Sequence, residues 1–118
     1  MVLNFWASWC APCRMEAHDL NEIAQESERL NVRFLGVNVQ DSRDKAQAFE
    51  RAFQSKYPSI FDPSGRVTLG FQGQIAGYPP TTLIVDSTGR IAGIINGAIQ
   101  KETLFNSIRY VSEETPSP

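Results

Sequence analysis

Val2-Leu3-Asn4-Phe5-Trp6-Ala7-Ser8-Trp9-Cys10-Ala11-Pro12-Cys13-Arg14-Met15-Glu16 opens with an apolar run, crosses two cysteines and continues into an amphipathic segment. Val2 to Trp6 reads as a buried strand, and Met15, Leu20, Ile23, Ala24 and Leu30 recur on one side of a long helix. Strand then helix places both sulfurs in the first helical turn. Val32 to Val39 is apolar and β-rich, so the first third of the chain reads as a βαβ unit.

A helix start changes cysteine chemistry. Unpaired N–H groups and the positive end of the helix dipole stabilise a thiolate, lowering a cysteine pKa from about 8.5 to as little as ~3.5. Cys10, nearer the end, is expected to be the more exposed and to attack a substrate disulfide; Cys13 then displaces the substrate from the mixed disulfide. A structural disulfide is the plainer reading, but closing so short a loop stabilises a fold by only about 2 kcal/mol. A metal reading would use Cys10, Cys13 and His18, yet structural zinc takes four ligands and no second cysteine pair exists.

The rest of the chain continues the α/β pattern. Asp41 to Ser55 reads as a helix with Ala46, Phe49, Ala52 and Phe53 on one side and Ser42 or Asp41 as its cap. Tyr57 to Phe61 is a short strand, Asp62-Pro63-Ser64-Gly65 a turn, Arg66 to Phe71 a brief helix, and Gln72 to Gly77 a loop. Thr81 to Val85 and Ile91 to Ile95 form an antiparallel hairpin around Asp86-Ser87-Thr88-Gly89-Arg90, and Lys101 to Val111 closes the domain as a helix. The expected organisation is one domain over residues 1–111 and a flexible polar tail over 112–118. Phe5, Trp6 and Phe34 are assigned to the core.

Composition sets limits. The 118 residues suffice for one core, and 42% hydrophobic with 20% charged residues excludes a disordered chain. A net charge of −2 with scattered basic residues leaves no stripe for nucleic acid. No apolar run nears the ~20 residues that span a bilayer. Trp9 before Cys10 argues against lipoprotein processing, which wants small residues there.

The stretch from Asn4 to Glu16 resembles the active-site segment of the thioredoxin superfamily, in its TlpA/ResA/DsbE-like branch. Asp62-Pro63-Ser64-Gly65, Gly77-Tyr78-Pro79-Pro80-Thr81-Thr82-Leu83-Ile84-Val85-Asp86 and Gly89-Arg90-Ile91 resemble its later half, so the likeness covers nearly the whole chain. It implies a thioredoxin fold: a central mixed β-sheet flanked by helices, βαβ then ββα, with a central insertion at Gln40 to Tyr78. The N-terminal strand of the family is missing ahead of Val2 on this reading, as are the exporting signal and membrane anchor of a full-length form.

The resemblance also implies roles. Pro80 is the family's cis-proline, facing the sulfurs, with Pro79 the fallback. Trp9, Pro79, Pro80 and Thr81 would meet substrate. Relatives pair the backbone of the residue before the cis-proline with substrate, but Pro79 has no N–H to donate, so one hydrogen bond is expected to be lost. Pro12 stiffens the helix start and tunes redox poise. Asn4 stands where thioredoxin has a buried aspartate, so Glu16, about one turn beyond Cys13, is the candidate for tuning or relaying protons; a solvated first-turn acid is the alternative. His18 replaces a helix-kinking proline and reads as a surface residue.

The expected protein is an extracytoplasmic, monomeric thiol:disulfide oxidoreductase that needs no cofactor beyond the Cys10–Cys13 couple. Its partners would be thiols or disulfides of exported proteins, such as apocytochrome c in cytochrome c biogenesis, and a membrane or soluble thiol donor. A disulfide-forming oxidant and a non-catalytic thiol or metal-binding module are the alternatives. A peroxidase would need its reactive cysteine in a different sequence setting.

Overall fold

The computed structural model describes residues 1–71, 73–75 and 78–114. Its elements are β1 (Val2–Trp6), α1 (Ala11–Ser27), a 3₁₀ turn (Glu28–Leu30), β2 (Phe34–Val39), α2 (Arg43–Phe53), β3 (Ser59–Asp62), α3 (Arg66–Leu69), β4 (Thr81–Val85), β5 (Ile91–Asn96) and α4 (Lys101–Glu114). The sheet order is β3-β2-β1-β4-β5. β1 lies parallel to β2, β2 parallel to β3, and β4 antiparallel to both β1 and β5. The mixed sheet and its flanking helices follow the βαβ then ββα order read from the sequence.

Alternation along β1 divides its side chains between two faces. Val2 packs with Leu20, Ile23 and Ala24 of α1 and with Leu104 and Ile108 of α4. Leu3 and Phe5 join Val37, Val39 and Leu83 on the other face, with Val67 and Phe71 against them. Fully burying side chains such as Ile23 and Leu104 contributes about 1.5–3 kcal/mol each, and these contacts anchor α1 across the strand that delivers the cysteines. Trp6 goes to a third cluster with Ala17, Ala46, Phe49 and the two cysteines.

Several boundaries move. Ser42 caps α2, its Oγ accepting the Lys45 N–H at 3.4 Å, which frees Asp41 for another task. α1 gives way to the 3₁₀ turn before Leu30, and Asn31 follows it in a left-handed conformation, φ 57°. α4 continues three residues past Val111, where the sequence pattern ended it. Positions 72, 76 and 77 of the expected loop, Gly77 among them, and 115–118 of the expected tail lie outside the described residues.

Candidate active site

β1 ends at Trp6, and Ala7 to Trp9 carry the chain to the start of α1. Cys10 is the N-cap, in extended backbone with φ −86° and ψ 110°, and its sulfur accepts the Cys13 N–H at 3.2 Å. Pro12 sits in the first turn, where no intrahelical donor is needed. Cys10 and Cys13 are joined as a disulfide with Cα atoms 5.2 Å apart. The helix start therefore points at both sulfurs, and its orphan N–H groups and dipole favour negative charge there once the bond opens.

The expected difference in exposure is not found. Cys10 is 4% and Cys13 3% exposed, because capping draws the Cys10 sulfur in toward the Cys13 N–H and both residues pack with Ala7 and Ala17. Access to Cys10 depends instead on the residues around it. Trp9 is 56% exposed, with its indole N–H donating to the Gln40 carbonyl at 2.8 Å.

The loop before Cys10 is held by the end of β2. Asp41 accepts from the Ser8 N–H at 2.7 Å, the Ser8 hydroxyl at 2.8 Å, the Asn38 amide at 3.0 Å and the Ser42 N–H at 2.9 Å. Burial pushes the Asp41 carboxyl up, but the hydrogen bonds from Asn38, Ser8 and Ser42 outweigh it and hold the group below the usual range. Sequence reasoning treated Asp41 only as a cap. Its distance of 33 positions from Ser8 concealed the clamp.

Glu16 is 2% exposed, so the solvated alternative does not describe it. Its Oε2 accepts from the Asn4 amide at 3.0 Å and its Oε1 from the Ile99 N–H at 3.0 Å. Burial raises its pKa; the Ile99 and Asn4 hydrogen bonds pull only partway back. Asn4 also donates to the Thr82 hydroxyl at 3.1 Å. An amide in the middle of β1 thus ties the second turn of α1 to β4, with a carboxyl that holds its proton more tightly than a free glutamate.

The Pro79–Pro80 bond is cis, as the resemblance implies for Pro80. Thr81 pairs with Phe5 in the sheet, which brings Pro79 and Pro80 to the end of the sheet where β1 releases the chain toward Cys10. The Pro80 carbonyl accepts from the Gly97 N–H at 2.9 Å. Thr81 is 1% exposed and its hydroxyl donates to the Tyr78 carbonyl at 3.1 Å, so this side chain braces the loop. Tyr78 is exposed, and a cavity of about 400 Å³ lined by Phe5, Val39, Leu69, Ile75, Tyr78 and Pro79 opens beside it. His18 lies apart, its side chain 82% exposed and paired with Glu22 at 3.1 Å.

This geometry has known counterparts. The profile of the AhpC/TSA family matches residues 1–94. The chain belongs to the AhpC/TSA family. It is 36% identical over 108 residues to the thiol:disulfide interchange protein HelX of Rhodobacter capsulatus, covering 91% of this chain and 57% of HelX. It is 31% identical over 104 residues to the thiol-disulfide oxidoreductase ResA of Geobacillus thermodenitrificans, covering 88% of this chain and 58% of ResA. The chain spans a little over half the length of these curated relatives. The crystal structure of a secreted thiol-disulfide isomerase from Corynebacterium glutamicum matches with a TM-score of 0.88 at 34% identity, over 96% of this chain and 70% of that one. This AhpC/TSA chain has the thioredoxin fold. No helix among the described residues is long and apolar enough to cross a membrane.

Proposed function

We propose that the protein is a thiol:disulfide oxidoreductase that reduces disulfides of exported proteins, apocytochrome c being one candidate class. The observation that supports this most is the Cys10–Cys13 disulfide at the start of α1, with the Cys10 sulfur at the N-cap and a buried carboxyl, Glu16, one turn further on.

In the reduced protein the Cys10 thiolate attacks a substrate disulfide. A Cys10–substrate bond forms and one substrate sulfur leaves as thiolate. The Cys13 thiol then loses its proton, with Glu16 as the acceptor that tunes this step, and attacks Cys10. The Cys10–Cys13 bond forms, the second substrate sulfur leaves with the electron pair, and a thiol donor resets the couple. Trp9 and the Pro79-Pro80 loop flank the path of the substrate. No cofactor beyond the cysteine couple is needed.

An extracytoplasmic setting is supported by the secreted Corynebacterium glutamicum neighbour. The opposite direction, disulfide formation, uses the same residues. A redox titration of the couple separates the two: thioredoxin lies near about −270 mV and the oxidant DsbA near about −120 mV. Cys10→Ser tests the class itself. It is expected to abolish disulfide exchange, and retained turnover or stoichiometric metal binding would instead support the non-catalytic module.

A further inference from the structure

Behind Cys13 lies a second, much smaller cavity of about 10 Å³. Asn4, Cys13, Asn21, Ser55, Tyr57 and Ser59 contribute its polar lining, and Trp6, Leu20 and Phe49 close it. That volume is about what one water needs, provided two or more polar partners are free.

The hydrogen bonds show which partners those are. Asn21 is committed at both ends, donating to the Phe53 carbonyl at 2.8 Å and accepting from the Lys56 N–H at 3.1 Å. Ser59 Oγ accepts the Trp6 indole N–H at 3.0 Å. The Asn4 amide nitrogen is taken by Glu16 and Thr82, but its Oδ1 accepts from no described residue. The Tyr57 and Ser55 hydroxyls likewise have no hydrogen-bond partner among the described residues. Three residues that line the cavity with Cys13 thus carry a polar group open to a water.

Tyr57 has a second boundary. It also lines a surface pocket of about 380 Å³ with Glu28, Arg33 and Lys56. This pocket includes Phe34, which pairs with Val2, so it opens at the end of the sheet opposite Trp6 and the cysteines. The Tyr57 ring is held there against Phe34, with centroids 5.6 Å apart.

We propose that the small cavity seats one water that takes up the proton of the Cys13 thiol, with Tyr57 as the positioning residue that holds it. The inference rests on Cys13 being the resolving thiol. While substrate is bonded to Cys10 it covers the front of the site, and a water in the cavity gives the Cys13 proton an acceptor behind. The proton passes to the water and on to Glu16, whose Oε2 is held by Asn4 of the cavity wall. The Cys13 sulfur then bonds to Cys10, the bond from Cys10 to substrate breaks, and the electron pair leaves on the substrate sulfur. The titratable groups acting on Tyr57 are Glu16 of α1 and Glu50 of α2; from the sheet it faces Asn4, Trp6 and Ser59. Burial and those two negative charges push the phenol up, so its hydroxyl keeps its proton at neutral pH and remains available to the water.

The test uses the reduced protein and Ellman's reagent, an aromatic disulfide whose released thiolate absorbs light. The first release reports attack by Cys10 and the second reports resolution by Cys13. In Tyr57→Phe the second phase should slow about tenfold near neutral pH, with a changed pH profile, while the first is unaltered. Ser55→Ala should move the second phase in the same direction, and it keeps the test open if Tyr57→Phe folds poorly. Second phases at the unsubstituted rate and pH profile in folded Tyr57→Phe and Ser55→Ala overturn the proposal. A first phase missing from the unsubstituted protein overturns the oxidoreductase reading beneath it, a different failure.

Discussion

The amide nitrogen of Asn4 sits 3.0 Å from Glu16 Oε2, so an uncharged strand residue holds a carboxyl buried one helical turn beyond the cysteine pair. No cation shares that site among the described contacts, and burial is what sets the carboxyl's affinity for its proton.

Glu16 should therefore give stability a pH dependence of a particular sign. Its folded pKa is raised, so the folded state binds the proton more tightly than the unfolded chain. Stability from this group is complete below the unfolded pKa of about 4.3 and is lost as pH rises through the higher folded value. Glu16→Gln removes that portion of the profile. Urea titrations of both proteins from acid to neutral pH measure it, and parallel curves would contradict it. In exchange kinetics the same substitution should slow resolution on the order of 10²-fold.

Asp41 has the opposite sign. Its folded pKa is lowered, so its contribution is present above the unfolded value of about 3.9 and disappears as pH falls through the folded one. Asp41→Ala also strands the Ser8 and Asn38 donors, which should cost about 2 kcal/mol at neutral pH. Melting temperatures at neutral and acid pH test this: the difference between variant and parent should shrink on acidification.

Gly36 is paired with Ser59 in the sheet, and a Cβ placed on it would overlap Ser59 Oγ and lie 2.9 Å from Trp6 Nε1. Gly36→Ala should destabilise by about 1–3 kcal/mol. Combining it with Ser59→Ala should cost less than the sum of the two, because the clash is shared. Additive costs in denaturant would show that the strands simply move apart.

Pro79 offers no N–H to a substrate strand. Pro79→Thr restores the donor, and one hydrogen bond of about 0.5–1.5 kcal/mol corresponds to a roughly two- to twelvefold lower KM for a peptide disulfide. An unchanged KM would mean that substrate does not pair with the backbone there.

What could be read from the sequence was local. The strand from Val2 to Trp6, the helix beyond Cys13, the hairpin at Asp86 to Arg90 and a cap at Ser42 or Asp41 all follow from spacing within a few residues. Pro80 came from resemblance, since nothing about a Pro-Pro pair selects its isomer. What escaped depends on register between distant segments: the Ile99 N–H meets Glu16 across 83 positions, and Asp41 meets Ser8 across 33. The even burial of the two sulfurs escaped too. Nearness to the helix end suggests exposure, but the capping hydrogen bond pulls the first sulfur back over the turn. Tyr57 read only as a strand residue, and its place between a cavity and the surface emerges once β2 and β3 are paired.

The braces on Ser8 and Trp9 come from Asp41 and Gln40, just past the tip of a strand lying parallel to β1. The loop ahead of Cys10 is thereby held before the chain enters α2, whose Ala46 and Phe49 then pack against the cysteines. Substitutions at exposed positions away from that corner, such as Leu69 on α3 beside the larger cavity, would be able to alter which proteins dock while leaving the sulfur geometry where it is.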